Sequence, residues 1–151
     1  MSELHPLKSM RQLILGERVD RATANITTGL NLFSVVGGRV AINLILGEVT
    51  TIIETKAVTF KLVATPDTGT ATDLCGTLDL SADEVGCLYT ISGAVATAMQ
   101  RGESGSVITQ LYPVVVAAGT IDATVGDTHT GSIKWSVFYV PIDDGAYVEA
   151  A

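Results

Sequence analysis

Apolar and polar residues alternate with a period of two along much of this chain, and Gly-containing turns interrupt the alternation at short intervals. Successive side chains of an extended strand point to opposite faces, so the pattern marks strands with one face buried and the other wet. The last long run is the clearest. Ile133, Trp135, Val137 and Tyr139 share one side, and Pro141 stops the run. Ile121, Ala123 and Val125 alternate cleanly over residues 119–125, as do Val58, Phe60 and Leu62 over residues 57–65. Residues 32–36 read as a short apolar strand, and Gly37-Gly38 tolerates the positive φ of a tight hairpin turn. Residues 39–46 are rich in branched side chains and are expected to end at Gly47, with a separate strand over 49–54. Further strands are expected over 74–80, 87–91 and 107–117, while residues 94–99 fit either strand or helix. Turns and loops fall at 65–70, 81–86, 101–105, 127–131 and Asp143-Asp144-Gly145, leaving a small apolar tail over 146–151.

The first thirty residues differ. Residues 9–15 suit a short helix or a strand, and Lys8, Arg11, Arg18, Arg21 and Arg39 place five of the nine basic residues before residue 40. Two readings stand: an arm over 1–30 that lies on a neighbour, or a first strand of the domain with a frayed start. The organisation expected is all-β, a β-sandwich or barrel-like domain of about eight to ten strands over 31–151, with an extended N-terminal arm over 1–30.

A chain of 151 residues buries one sizeable core without metal or disulfide staples. Charged residues are 17% of it, against about 25% in an ordinary soluble domain. A charge-poor surface suits packing against other protein, although a monomer with a neutral surface has the same composition. The net charge of −7 and the lack of a basic patch argue against direct nucleic-acid binding and against an anionic membrane surface. The apolar stretch at 114–118 is far too short to span a bilayer, and residues 1–18 do not read as a secretory signal, so synthesis in the cytoplasm is expected.

Candidate chemistry is sparse. Cys75 and Cys87 form no CxxC pair and stand apart from His5 and His129, so no metal site or cofactor is expected, and the thiols read as buried and unbonded. His129 is expected to be a solvated turn residue. Asp143-Asp144-Gly145 lacks the regular ligand spacing of a calcium loop and reads as a solvated turn. The residues point to no enzyme, because no titratable group has a partner that would tune it. Trp135 and Tyr139 read as core. Tyr112 and Tyr147, near edges and ends, are the candidates for contact with a partner, together with Arg11, Arg18 and Arg21 of the arm. For a carbohydrate-binding module, only Tyr89, Tyr112 and Tyr147 offer aromatic surface.

Two stretches carry a resemblance. One runs Leu32-Phe33-Ser34-Val35-Val36-Gly37-Gly38-Arg39-Val40 and on into Gly47-Glu48-Val49-Thr50-Thr51. The other is residues 130–148, from Thr130-Gly131-Ser132-Ile133-Lys134-Trp135 to Asp143-Asp144-Gly145-Ala146-Tyr147-Val148. Together they resemble the head decoration, or cement, proteins of tailed bacteriophages. The resemblance implies a virion structural protein on the capsid exterior that clamps adjacent subunits of the major capsid protein. It also implies self-association, a trimer being favoured over a dimer. The alternatives are another virion component (a tail, neck or head-fibre subunit) or a carbohydrate- or receptor-binding β-sandwich.

Overall fold

The computed structural model describes residues 13–103 and 105–151. Their eleven strands are β1 (Glu17–Ile26), β2 (Leu30–Val36), β3 (Val40–Thr51), β4 (Phe60–Pro66), β5 (Thr72–Asp73), β6 (Leu88–Thr90), β7 (Gln100–Gly102), β8 (Val114–Val116), β9 (Gly119–Val125), β10 (His129–Pro141) and β11 (Tyr147–Ala150). They form two sheets with every strand pairing antiparallel. The first has the order β1-β10-β3-β6-β7, with β8 also paired to β3; the second has the order β11-β2-β9-β4-β5. The fold is a β-sandwich, as the alternation predicts.

The inward positions of the two sheets make the core. β9 alternates without a fault between buried Ile121, Ala123 and Val125 and half-buried neighbours. Leu32, Phe33, Ile45, Leu62, Ile121 and Val137 have no exposed surface. Burying each such side chain stabilises by roughly 1.5–3 kcal/mol before its entropy cost. Trp135, read from the sequence as core, lies at the centre. Its ring stacks on Phe60 of the opposite sheet with centroids 5.9 Å apart and 5° between planes, and on Tyr89 at 6.4 Å.

Several expectations are corrected. Gly47 does not end a strand: β3 runs unbroken from Val40 to Thr51. Gly47 lies opposite Trp135, and a Cβ there would sit 2.6 Å from the indole ring. The glycine is a seat for the tryptophan. Gly37-Gly38 does not close a hairpin. β2 belongs to the second sheet and β3 to the first, so the glycines turn a corner between sheets. Residues 74–80 and most of 107–117 are not regular strands. The former contribute the isolated bridges Phe60–Leu78 and Gly76–Ala98, and the latter only β8. The tail is β11, and residues 94–99 are irregular.

The division at residue 30 is also redrawn. β1 pairs with β10 along its length and closes one edge of the first sheet, so residues 17–26 belong to the domain. A helical turn at 13–15 precedes it, and Gly16, at φ +89°, leads in where a Cβ would strike the Tyr139 carbonyl oxygen at 2.0 Å. Residues 1–12 of the expected arm, Arg11 included, lie outside the described residues.

Candidate interaction surface

The two stretches that carry the resemblance meet in space. β3 pairs with β10 in the first sheet and β2 with β11 in the second, so both crossings between the sheets lie at one corner. The corner is locked. Asp143, in the β10–β11 turn, accepts from the Arg39 backbone N–H at 2.7 Å, and its two oxygens take Arg39 Nε at 3.0 Å and Nη2 at 2.8 Å. Arg39 holds the Asp143 carboxyl down at about 2. Gly37 and Gly38 let the turns close: a Cβ on either would meet Gly145 O at 2.8 Å or Asp143 Cβ at 2.7 Å. The Asp-Asp-Gly turn therefore fastens a corner.

A second device sits on the far edge of β3. β8 pairs with Val40–Ile42 and β6 with Leu46–Glu48, which leaves a gap in the ladder between them. Gln110 fills it. Its Oε1 accepts from Ile45 N–H at 3.1 Å, and its Nε2 donates to Ile42 O at 2.9 Å and to Tyr112 O at 2.9 Å. The Thr90 hydroxyl donates to Ile45 O at 2.5 Å. Sequence reading missed Gln110. A lone glutamine in an apolar run signals only that a buried amide needs partners.

Gln110 fixes the start of the β8 segment, and the side chains around it face outward. Ile108, Leu111, Tyr112 and Val115 are each more than half exposed. The Leu111 and Tyr112 N–H groups both donate to Ser92 O, which ties this rim to the loop that carries the exposed Val95. In register across three strands, Val115 lies beside Ala41 and Ala41 beside Val140, which is 41% exposed. Apolar surface thus continues from the rim onto the outer face of the first sheet.

The remaining candidates are dispersed. Tyr147 is exposed at the start of the edge strand β11. Arg18 and Arg21 lie on β1, Arg18 with its guanidinium 5.7 Å from the Phe138 ring centroid. Tyr89 offers no binding surface: it is wholly buried and donates to the Asp83 carboxylate. His129 is likewise no solvated turn residue. It begins β10, is 3% exposed, and places its Nδ1 2.8 Å from Asp127 O and its Nε2 3.0 Å from Lys56 O.

A polar cleft of about 460 Å³ is lined by Ser81, Ala82, Asp83, Glu84, Cys87, Arg101 and Glu103. Asp83 is 8% exposed and sits 3.3 Å from Arg101 Nη1. Burial and the Asp83 carboxylate together hold the Tyr89 phenol protonated far above its ordinary range. Burial also pushes up the thiols of Cys75 and Cys87, which are both free. A protonated phenol and protonated thiols are poor nucleophiles. Among the described residues no three His, Cys, Asp or Glu side chains gather closely enough to hold a metal ion, and no helix is long and apolar enough to cross a membrane.

No protein-family model matches the chain, nor does any curated protein or solved structure.

Proposed function

We propose that this chain is a virion structural protein of a tailed bacteriophage, made in the host cytoplasm, that binds the outside of an icosahedral capsid and clamps adjacent subunits of the major capsid protein. The observation that carries the reading is the locked corner. The two stretches that resemble decoration proteins are far apart in sequence, yet they pack as one unit joined by Arg39 and Asp143. A resemblance spread over unrelated surface would have had no structural logic.

The apolar rim formed by Ile108, Leu111, Tyr112 and Val115 is the surface assigned to the capsid. Aromatic and aliphatic anchors with few charges nearby suit the core of a protein interface. No role is assigned to direct nucleic-acid or membrane contact, in keeping with a net charge of −7.

The test is binding to purified expanded shells emptied of DNA. Saturation at a fixed copy number per shell, weakened by Tyr112→Ser and Leu111→Ser, is the expected result. Failure of the folded protein to bind shells overturns the reading, and assembly into rings or tubes instead would assign it to the tail.

A further inference from the structure

The strand β1 closes one edge of the first sheet, and among the described residues nothing pairs with its outer side. Natural edge strands are kept from pairing by charges and bulges. β1 has both, but their arrangement is unusual. Its pairing with β10 is regular from Glu17 to Arg21 and shifts register between Arg21 and Ala24. The regular segment reads Glu-Arg-Val-Asp-Arg.

That segment is complementary to its own reversal. If two copies are laid antiparallel with Val19 opposite Val19, Arg18 of each falls opposite Asp20 of the other, and Glu17 falls opposite Arg21. Residues directly opposite in an antiparallel pair share a face. Arg18 and Asp20 share the outer face, where their side chains are 51% and 60% exposed; they pair with each other at 2.7 Å and Ser136 Oγ donates to Asp20, so two copies would set two such pairs side by side with opposite charges facing. Glu17, Val19 and Arg21 lie on the opposite, inward face, since they pair with Tyr139, Val137 and Trp135 of the core. The Arg21 Nε is buried and has no hydrogen-bond partner. The guanidinium donates through Nη1 to Ala22 O, and Glu17 accepts from Tyr139 OH, which leaves its second carboxylate oxygen for the Arg21 that falls opposite it in a second copy.

We infer that β1 is a self-association edge: two copies of this chain join antiparallel through residues 17–21, with the two-fold axis at Val19, making one continuous sheet across both. The contact is isologous, so it closes at two copies instead of the three that the resemblance favours. The bulge after Arg21 limits the pairing to the complementary segment and prevents open-ended growth. Strand addition supplies main-chain hydrogen bonds, and the charge pattern sets the register. The inference does not rest on shell binding, because it is read on the free protein.

Charge exchange tests it. Sedimentation equilibrium of the full chain over a concentration series is expected to give a monomer–dimer equilibrium. Arg18→Asp and Asp20→Arg each place like charges opposite one another twice in the dimer and should raise its dissociation constant about tenfold or more. Mixing the two variants restores opposite charges at both places, so the equimolar mixture should dimerise like the parent. The double variant carrying both exchanges should also dimerise, which guards against either single change acting through folding. A parent that stays monomeric, a different stoichiometry, single variants that dimerise like the parent, or a mixture that does not recover would each overturn the inference. A monomer whose outward amides at 17–21, those not bonded to β10, resist hydrogen exchange would assign this edge to another segment of the same chain, and would overturn it too.

Discussion

Replacing Gln110 by Met keeps the length of the side chain and removes every hydrogen bond it makes. Three contacts are lost, from Ile45 N–H and to the Ile42 and Tyr112 carbonyls. Each contributes about 1 kcal/mol net, and Ile45, wholly buried, keeps an unpaired N–H that adds a desolvation cost of about 1–3 kcal/mol. Some of this is regained because methionine is apolar and fits a buried site. The expected loss is therefore roughly 3 kcal/mol. With a urea slope of about 2 kcal/mol/M, the unfolding midpoint should fall by about 1.5 M. Gln110→Glu separates the contacts. A carboxylate still accepts from Ile45 but faces the two carbonyls with no proton to offer, so at neutral pH it should destabilise more than Met. Equilibrium urea unfolding followed by Trp135 fluorescence measures both. A midpoint shift below about 0.3 M for Gln110→Met, with the slope unchanged, would refute the claim that this amide completes the β3 ladder.

The remaining predictions touch other parts of the fold. Gly47→Ala puts a methyl 2.6 Å from the Trp135 ring and should cost about 1–3 kcal/mol, read as a lower melting temperature with an altered Trp emission. Asp143 titrates at about 2 because Arg39 holds it, below the roughly 3.9 of a free aspartate. A depressed folded value means that its contribution is present above pH ~4 and is lost as the pH falls through ~2. Arg39→Met should move the Asp143 midpoint, followed by carboxyl NMR shifts, up towards the free value, and an unmoved midpoint would dismiss the lock. Cys75 and Cys87 are buried and their thiols are pushed up, so a disulfide-exchange reagent should modify neither in the native protein and both after denaturation.

What could be read from the sequence was whatever a period of two encodes. β9 and β10 stand where the alternation places them, because their inward residues meet an apolar core and their outward ones meet water. The core role of Trp135 follows from the same alternation, and two unbonded, buried thiols are found as expected. The sequence does not record which sheet a strand joins. Gly37-Gly38 has the composition of a hairpin turn, yet the flanking strands part company, since only the distant Asp143 decides that this turn is a corner. Gly47 was misread for a related reason. A glycine inside a strand weakens it unless something large needs the space, and the indole that needs it is 88 residues away in sequence and directly opposite in register. His129 and Gln110 are polar residues whose partners are backbone carbonyls and amides, which leave no sequence mark at all. The surface was the least legible. Tyr112 and Tyr147 stand near edges and ends in the sequence, but that Tyr89 offers no surface at all is decided by three-dimensional packing.

The edge at β1 and the rim at β8 stand on opposite sides of the first sheet, with β10 and β3 between them. Joined at β1, two copies would make a sheet in which the two β8 strands are the far members of an eight-strand row. At about 4.8 Å per strand they would lie roughly 34 Å apart and face away from the axis. A two-fold dimer of this kind is bivalent by construction: each end offers one apolar rim, and the pair can hold neighbouring capsid subunits at once. Bivalence predicts something that neither proposal predicts alone. The parent dimer should bind expanded shells about 100-fold or more tightly than Arg18→Asp or Asp20→Arg, although neither substitution touches the rim. An equimolar mixture of the two variants should recover the parent's affinity, which a direct contact between Arg18 and the shell would not allow. Tyr112→Ser should weaken binding with dimerisation intact. If shell affinity is the same for dimer and for dissociated variants, the protein grips one subunit at a time, and the clamp is wrong even where shell binding and dimerisation are both observed.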